Sequence, residues 1–156
     1  MLKKAGCYQI TFGLESGNQR VLDSLGKKLD VRKIPETLEL VKKYGIRVRA
    51  NFMMGHYGES EEEIGDTIRL AELLQKRALA TTIGFYKVLP LPGTPLYRKI
   101  KQEGIKIDKG FEDFAWYGDT VSRISNVDPK RLDELHKEAY ARIKGASNAD
   151  RKSPDY

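Results

Sequence analysis

The chain has 156 residues, 40% of them hydrophobic and 32% charged, with a formal charge of +6 at pH 7 and one cysteine, Cys7. A chain of this size supports one core burying roughly 70% of its unfolded surface, and one cysteine excludes an internal disulfide or a multi-cysteine metal site built by this chain alone. No uncharged apolar run of about 18 residues is present to cross a membrane, and the basic residues alternate with acids, as in Lys130-Arg131-Leu132-Asp133-Glu134, so a small-molecule substrate is favoured over nucleic acid.

Met1-Leu2-Lys3-Lys4-Ala5-Gly6 lacks the apolar stretch of a signal peptide, and a cytoplasmic address is expected. Tyr8 to Leu14 reads as a strand in which Gln9 and Thr11 alternate with Ile10 and Phe12. After Glu15-Ser16-Gly17 a short helix is expected from Asn18 to Leu25, closed by Gly26; Ser16 with Gln19 has the spacing of a capping box. Ile34, Leu38, Val41 and Tyr44 form the stripe of a second helix, with Pro35 in its first turn or kinking its entry and Gly45 as its left-handed cap. From Ile46 to Phe52 the chain alternates strictly, with Ile46, Val48, Ala50 and Phe52 on one face and Arg47, Arg49 and Asn51 on the other.

The loop Gly55-His56-Tyr57-Gly58-Glu59 leads into a helix whose start Ser60 and Glu63 mark as a capping box, and Ile64, Ile68, Ala71 and Leu74 face its inner side. A third strand is expected from Thr82 to Leu89. Thr94 and Pro95 then open another helix, and Asp128 and Pro129 open the last one, with Leu132, Leu135, Ala139 and Ile143 as its stripe. The pattern is α/β: about three parallel strands with covering helices, then a helical C-terminal extension. The expected divisions are 1–104 for the strand–helix part, 105–146 for an aromatic-rich segment and C-terminal helix packed on it, and 147–156 for a disordered polar tail.

In parallel β/α folds the chemistry sits at the carboxyl ends of the strands. Those ends read Gly13-Leu14-Glu15-Ser16-Gly17, then Gly55-His56-Tyr57-Gly58-Glu59-Ser60, then Pro90-Leu91-Pro92-Gly93-Thr94-Pro95-Leu96-Tyr97. In this order and spacing, over about residues 5 to 145, they resemble the second half of the partial barrel of radical S-adenosylmethionine (SAM) enzymes. The branch that often carries a cobalamin-binding domain looks most similar. The resemblance implies SAM, a [4Fe-4S] cluster in the complete protein, reductive SAM cleavage and radical transfer to a substrate, with cobalamin-dependent methylation or rearrangement as the sub-class. It also implies that the N-terminal half of the barrel, with the cluster cysteines, comes from the same or another chain. The chain alone is then expected to be inactive and to self-associate through an open sheet edge.

The resemblance makes Glu15, Ser16, Arg49, Asn51, Gly55, Gly58 and Glu59 the expected cofactor-binding residues, on the ribose and adenine side of SAM. Ser16 is read equally as a helix cap and Glu59 equally as an acid favouring a helix start, while Arg49 is open to the SAM carboxylate, to an anionic substrate group or to solvent. His56-Tyr57 departs from the family's usual x-Pro, so the turn is expected to be looser. Tyr86 and Lys87 point to opposite faces, so at most one of them looks inward. A non-catalytic half-barrel is the alternative, and acid–base chemistry by Glu15, Glu59 and His56 in an unrelated β/α enzyme is a third reading.

Overall fold

The structure, a computed structural model, describes residues 1–105 and 124–145. The expected packing of Phe111, Phe114, Trp116 and Tyr117 and the tail from Ser147 lie outside the described residues. Three strands, β1 (Gln9–Glu15), β2 (Arg47–Met54) and β3 (Thr82–Lys87), pair in parallel in chain order. Between them run α1 (Gln19–Ser24), α2 (Ile34–Lys43) and α3 (Glu61–Lys76); α4 (Pro95–Gln102) and α5 (Pro129–Gly145) follow.

Local signals set most of the boundaries. Ser60 and Glu63 form the expected reciprocal capping box at α3, and the Thr94 hydroxyl accepts from Tyr97 N–H over Pro95 at α4. Asp128 Oδ1 accepts from Lys130 N–H at the start of α5. Two expectations need correction. The cap of α1 is Asn18, whose side chain accepts from Val21 N–H. Ser16 instead turns inward, and Gln19 reaches Asp23 and the backbone of Leu29 and Val31. Tyr44 leaves the stripe of α2, because the helix ends at Lys43 and the tyrosine side chain stands in solvent.

The helices cover one face of the sheet. Leu14, Val48, Ala50, Phe52, Met54, Ile83 and Phe85 are buried there against Ile34 and Leu38 of α2, the inner stripe of α3, and Leu132, Leu135, Ala139 and Ile143 of α5. Each fully buried leucine or isoleucine contributes roughly 2 kcal/mol through removal from water. The opposite face carries Gln9, Thr11, Arg47, Arg49 and Thr82, all exposed, with Asn51, Met53 and Tyr86 half-buried toward the carboxyl ends.

The two sheet edges differ. At β3 the backbone of Phe85 is satisfied by α5: its N–H donates to Tyr140 Oη at 3.0 Å, and its carbonyl accepts from Tyr140 Oη at 3.2 Å and His136 Nε2 at 3.0 Å. No strand pairs with the outer edge of β1 among the described residues. Covering an edge with side-chain donors and acceptors removes it as a template for another strand; among the described residues β3 is covered in this way at Phe85, and the outer edge of β1 is not paired with a strand.

Candidate functional site

The carboxyl end of β1 is held in an unfavourable backbone conformation. Glu15 has φ 63°, and the β1–β2 register shifts between Gly13 and Glu15. A non-glycine residue in this region costs on the order of 1–3 kcal/mol, and such strain clusters at functional positions. The carboxylate folds back over Gly13, where a Cβ would lie 2.6 Å from Glu15 Oε1. Lys27 Nζ holds it from the other side, 2.9 Å from Oε1 and 3.3 Å from the Gly13 carbonyl oxygen.

Asn51 is the register partner of Gly13, and Gly84 is the partner of Asn51 on its other side. Asn51 Oδ1 is buried and accepts no hydrogen bond among the described residues. Glycines flank it on both neighbouring strands, which leaves a short trough in the backbone surface, and side chains fill it: the Glu15 carboxylate lies over Gly13 and the Tyr86 ring over Gly84, where a Cβ would come within 3.1 Å of the ring.

Residues 55–59 close the end of β2. Glu59 Oε2 accepts from the N–H groups of Gly55 at 2.7 Å and His56 at 2.9 Å. Burial pushes the Glu59 carboxyl up to about 7 against those two bonds. Gly58 N–H donates to the Ile124 carbonyl, and Asn126 N–H donates to that of Glu59, at 2.8 and 2.9 Å. Gly55 and Gly58 take φ 83° and 66°, which only glycine adopts without strain. His56 turns inward to 4% exposure, and burial lowers it to about 4 against the opposing pull of the Glu15 charge and backbone, so its imidazole is neutral at pH 7. Tyr57 turns outward instead; its hydroxyl donates to Glu103 at 2.6 Å and Lys99 Nζ lies 3.8 Å from its ring centre. Two sets of contacts hold this turn: Glu59 Oε2 accepts from the Gly55 and His56 N–H groups, and Tyr57 ties it to Lys99 of α4 and to Glu103.

The structure thus brings Glu15 and Asn51 together, with Arg49 on the same face one alternation deeper. Gly55 and Gly58 shape the neighbouring loop. Glu59 is fully buried; its Oε2 is committed to that loop, and its Oε1 accepts no hydrogen bond among the described residues. Ser16 is also fully buried; its hydroxyl pairs with Thr67 Oγ1 at 3.1 Å and accepts from Asn18 N–H at 3.1 Å. Lys27 has no local signal, since it meets Glu15 only after α1 turns the chain. Of Tyr86 and Lys87, it is Tyr86 that faces the open side; Lys87 reaches Asp133 of α5 at 2.7 Å.

Residues 1–71 match the family model of the radical SAM superfamily. The chain belongs to that superfamily. It is 25% identical over 139 residues to an uncharacterized methyltransferase of Pyrococcus horikoshii, a match covering 89% of this chain and 29% of that protein. Over 111 residues it is 32% identical to the cytidylyl-2-hydroxyethylphosphonate methyltransferase of Streptomyces wedmorensis, covering 67% and 20%. The fold matches Elp3 of Methanocaldococcus infernus, solved with an N-terminal deletion, at a TM-score of 0.54 and 18% identity over 93% of this chain and 38% of that one. The chain spans less than a third of the length of these two curated relatives.

Radical SAM membership implies SAM and a four-iron cluster, and the two fit this chain differently. The unpartnered Asn51 Oδ1 and the Glu15 carboxylate are acceptors that suit a ligand carrying hydroxyl or amino donors once the side chains of Glu15 and Tyr86 swing off Gly13 and Gly84. The cluster needs several thiolates, whereas the one cysteine, Cys7, precedes β1 at the end of the strand away from Glu15. Among the described residues no group of three His, Cys, Asp or Glu side chains is placed to hold a metal.

Proposed function

We propose that this chain supplies the ribose and adenine side of the SAM site in a radical SAM enzyme. The observation that carries this is the buried, unpartnered Asn51 Oδ1 in a trough beside the strained Glu15. Glu15, oriented by Lys27, accepts from ribose hydroxyls; Asn51 Oδ1 accepts a further donor; and the backbone of Gly55 to Gly58, fixed by Glu59, borders the adenine. Bound SAM supplies the carbon–sulfur bond whose reductive cleavage begins radical SAM chemistry. Ser16 acts in this scheme by holding the β1–α1 turn against Thr67.

Titration of the 156-residue chain with SAM and with 5′-methylthioadenosine, followed by amide chemical shifts, tests the reading. Saturable shifts are expected at Gly13, Asn51 and Gly84, with Glu15→Gln weakening both ligands about tenfold, the usual loss for a charge-assisted hydrogen bond. A wild-type chain whose trough amides ignore both ligands would sink it.

Methyl transfer is the proposed sub-class, supported by the two methyltransferase relatives. Cobalamin as accessory cofactor is proposed on the motif resemblance. The remaining strands and cluster thiolates are proposed to join along the β1 edge, from the same or another chain, and two copies lacking them to associate there. Anaerobic reconstitution with iron and sulfide is expected to leave this chain without cluster absorption, and Cys7→Ser to change nothing. A stable cluster on the wild type that Cys7→Ser abolishes would show that the chain assembles one by itself.

A further inference from the structure

Arg20, Arg32, Arg69, Arg77, Arg131 and Arg142 each reach a carboxylate. Arg47 and Arg49 stand on the open face of the central strand, and neither reaches one among the described residues. They are two residues apart on β2, so their side chains rise from the same face about 7 Å apart. The residues beside them in register are uncharged: Gln9 next to Arg47, and Thr11 and Thr82 on either side of Arg49. The nearest acid on this face is Glu15, and Lys27 already matches its charge at 2.9 Å.

Tyr86 gives this pair a direction. Its register partner is Met53, yet its ring lies back along the face over Gly84 and brings Oη to 3.4 Å from Arg49 Nη2. A Cβ at position 84 would meet the tyrosine hydroxyl at 3.2 Å, so glycine there is what lets the ring lie down. In this contact the guanidinium donates and the tyrosine oxygen accepts, at a length near the outer limit for a hydrogen bond. The phenolic proton and the remaining guanidinium N–H groups stay available to a ligand.

We propose that Arg49, Arg47 and Tyr86 form a binding site on the open sheet face for a doubly charged oxyanion, a phosphonate or phosphate group of the substrate. Two uncompensated guanidinium charges suit a dianion, and the planar donor array of arginine suits its oxygens. Arg49 lies about 7 Å deeper along β2 than Asn51, so an anion held there is the neighbour of a nucleoside at Asn51, with the Tyr86 ring over Gly84 between them. The proposal rests on the SAM reading for the identity of that neighbour, while the anion site itself is built from its own residues.

Methylphosphonate, SAM and 5′-methylthioadenosine, titrated separately into the 156-residue chain and followed by backbone amide and arginine Nε–Hε resonances, separate the two claims. Methylphosphonate is expected to saturate with shifts at Arg49 Nε–Hε, Thr11 and Thr82. Arg49→Met should raise its dissociation constant about tenfold, and Tyr86→Phe about threefold, as charged and neutral hydrogen bonds are lost. Unsaturable or scattered shifts, or an Arg49→Met variant that binds methylphosphonate unchanged, would overturn the proposal. So would an Arg49→Met variant that loses SAM but neither methylphosphonate nor 5′-methylthioadenosine, since Arg49 would then serve the SAM carboxylate. Methylphosphonate bound at Arg49 with no nucleoside bound anywhere would uphold the anion site and remove the SAM reading.

Discussion

Replacing Gly17 by alanine is expected to cost about 3 kcal/mol or more of folding stability, read as a lowered urea midpoint with an unchanged m-value. The cause is contact with backbone. A Cβ on Gly17 would lie 2.5 Å from the Asp66 carbonyl oxygen and 2.7 Å from Thr67 Cα, and neither yields by a rotamer change. The β1–α1 turn would have to lift away from α3. Doing so breaks the bond from Gly17 N–H to Thr67 Oγ1 at 2.9 Å, the buried Ser16–Thr67 pair and the 2.7 Å bond from Asn18 Nδ2 to Asp66. Thr67→Val separates the two contributions: it keeps the space but leaves Gly17 N–H buried without its acceptor, and about 1–2 kcal/mol should be lost. An alanine variant with the wild-type midpoint would mean that the turn is not seated on α3.

What could be read from the chain beforehand is what depends on neighbours in sequence. The alternation through β2 gave its two faces, and Ser60 with Glu63, Thr94 with Pro95 and Asp128 with Pro129 gave three helix starts, because each is complete within a few residues. One misreading and one open choice turn on partners far along the chain. Ser16 and Gln19 have capping-box spacing, but Thr67, 51 residues from Ser16, competes for its hydroxyl and leaves the cap to Asn18. Alternation put Tyr86 and Lys87 on opposite faces without saying which faced inward, a choice made by Asp133 on α5. The site divides the same way. Glu15 and Asn51 follow from strand ends and parity. Lys27 becomes visible only once α1 returns the chain to β1, and the inward turn of Glu59 only once the loop has closed around its carboxylate.

That closed loop holds two groups whose titrations oppose each other. Glu59, pushed by burial from an ordinary 4.5 to about 7, takes up a proton on folding. Its stabilisation is therefore complete below about pH 4.5 and is lost as the pH rises through 7. His56, lowered by burial from 6.5 to about 4, releases a proton on folding. It disfavours the folded chain increasingly as the pH falls from 6.5 toward 4. Glu63, held at about 2 mainly by its hydrogen bond from Arg20, titrates below this range. Between pH 5 and 7 the two effects amount to about 2 kcal/mol each with opposite signs, so the wild type should show nearly constant stability there. Removing one partner exposes the other. Glu59→Gln keeps an acceptor for Gly55 and His56 N–H and should gain about 2 kcal/mol in urea-derived stability from pH 5 to 7. His56→Asn should lose a similar amount over the same interval. A Glu59→Gln variant as flat as the wild type would mean that Glu59 stays ionised in the folded chain, and that the two backbone N–H groups hold it so against burial. A rising profile in the variant beside a flat one in the wild type would instead show that Glu59, in the loop bordering the proposed adenine position, exchanges a proton near neutral pH, so that nucleoside affinity measured on either side of pH 7 samples two charge states of its anchor.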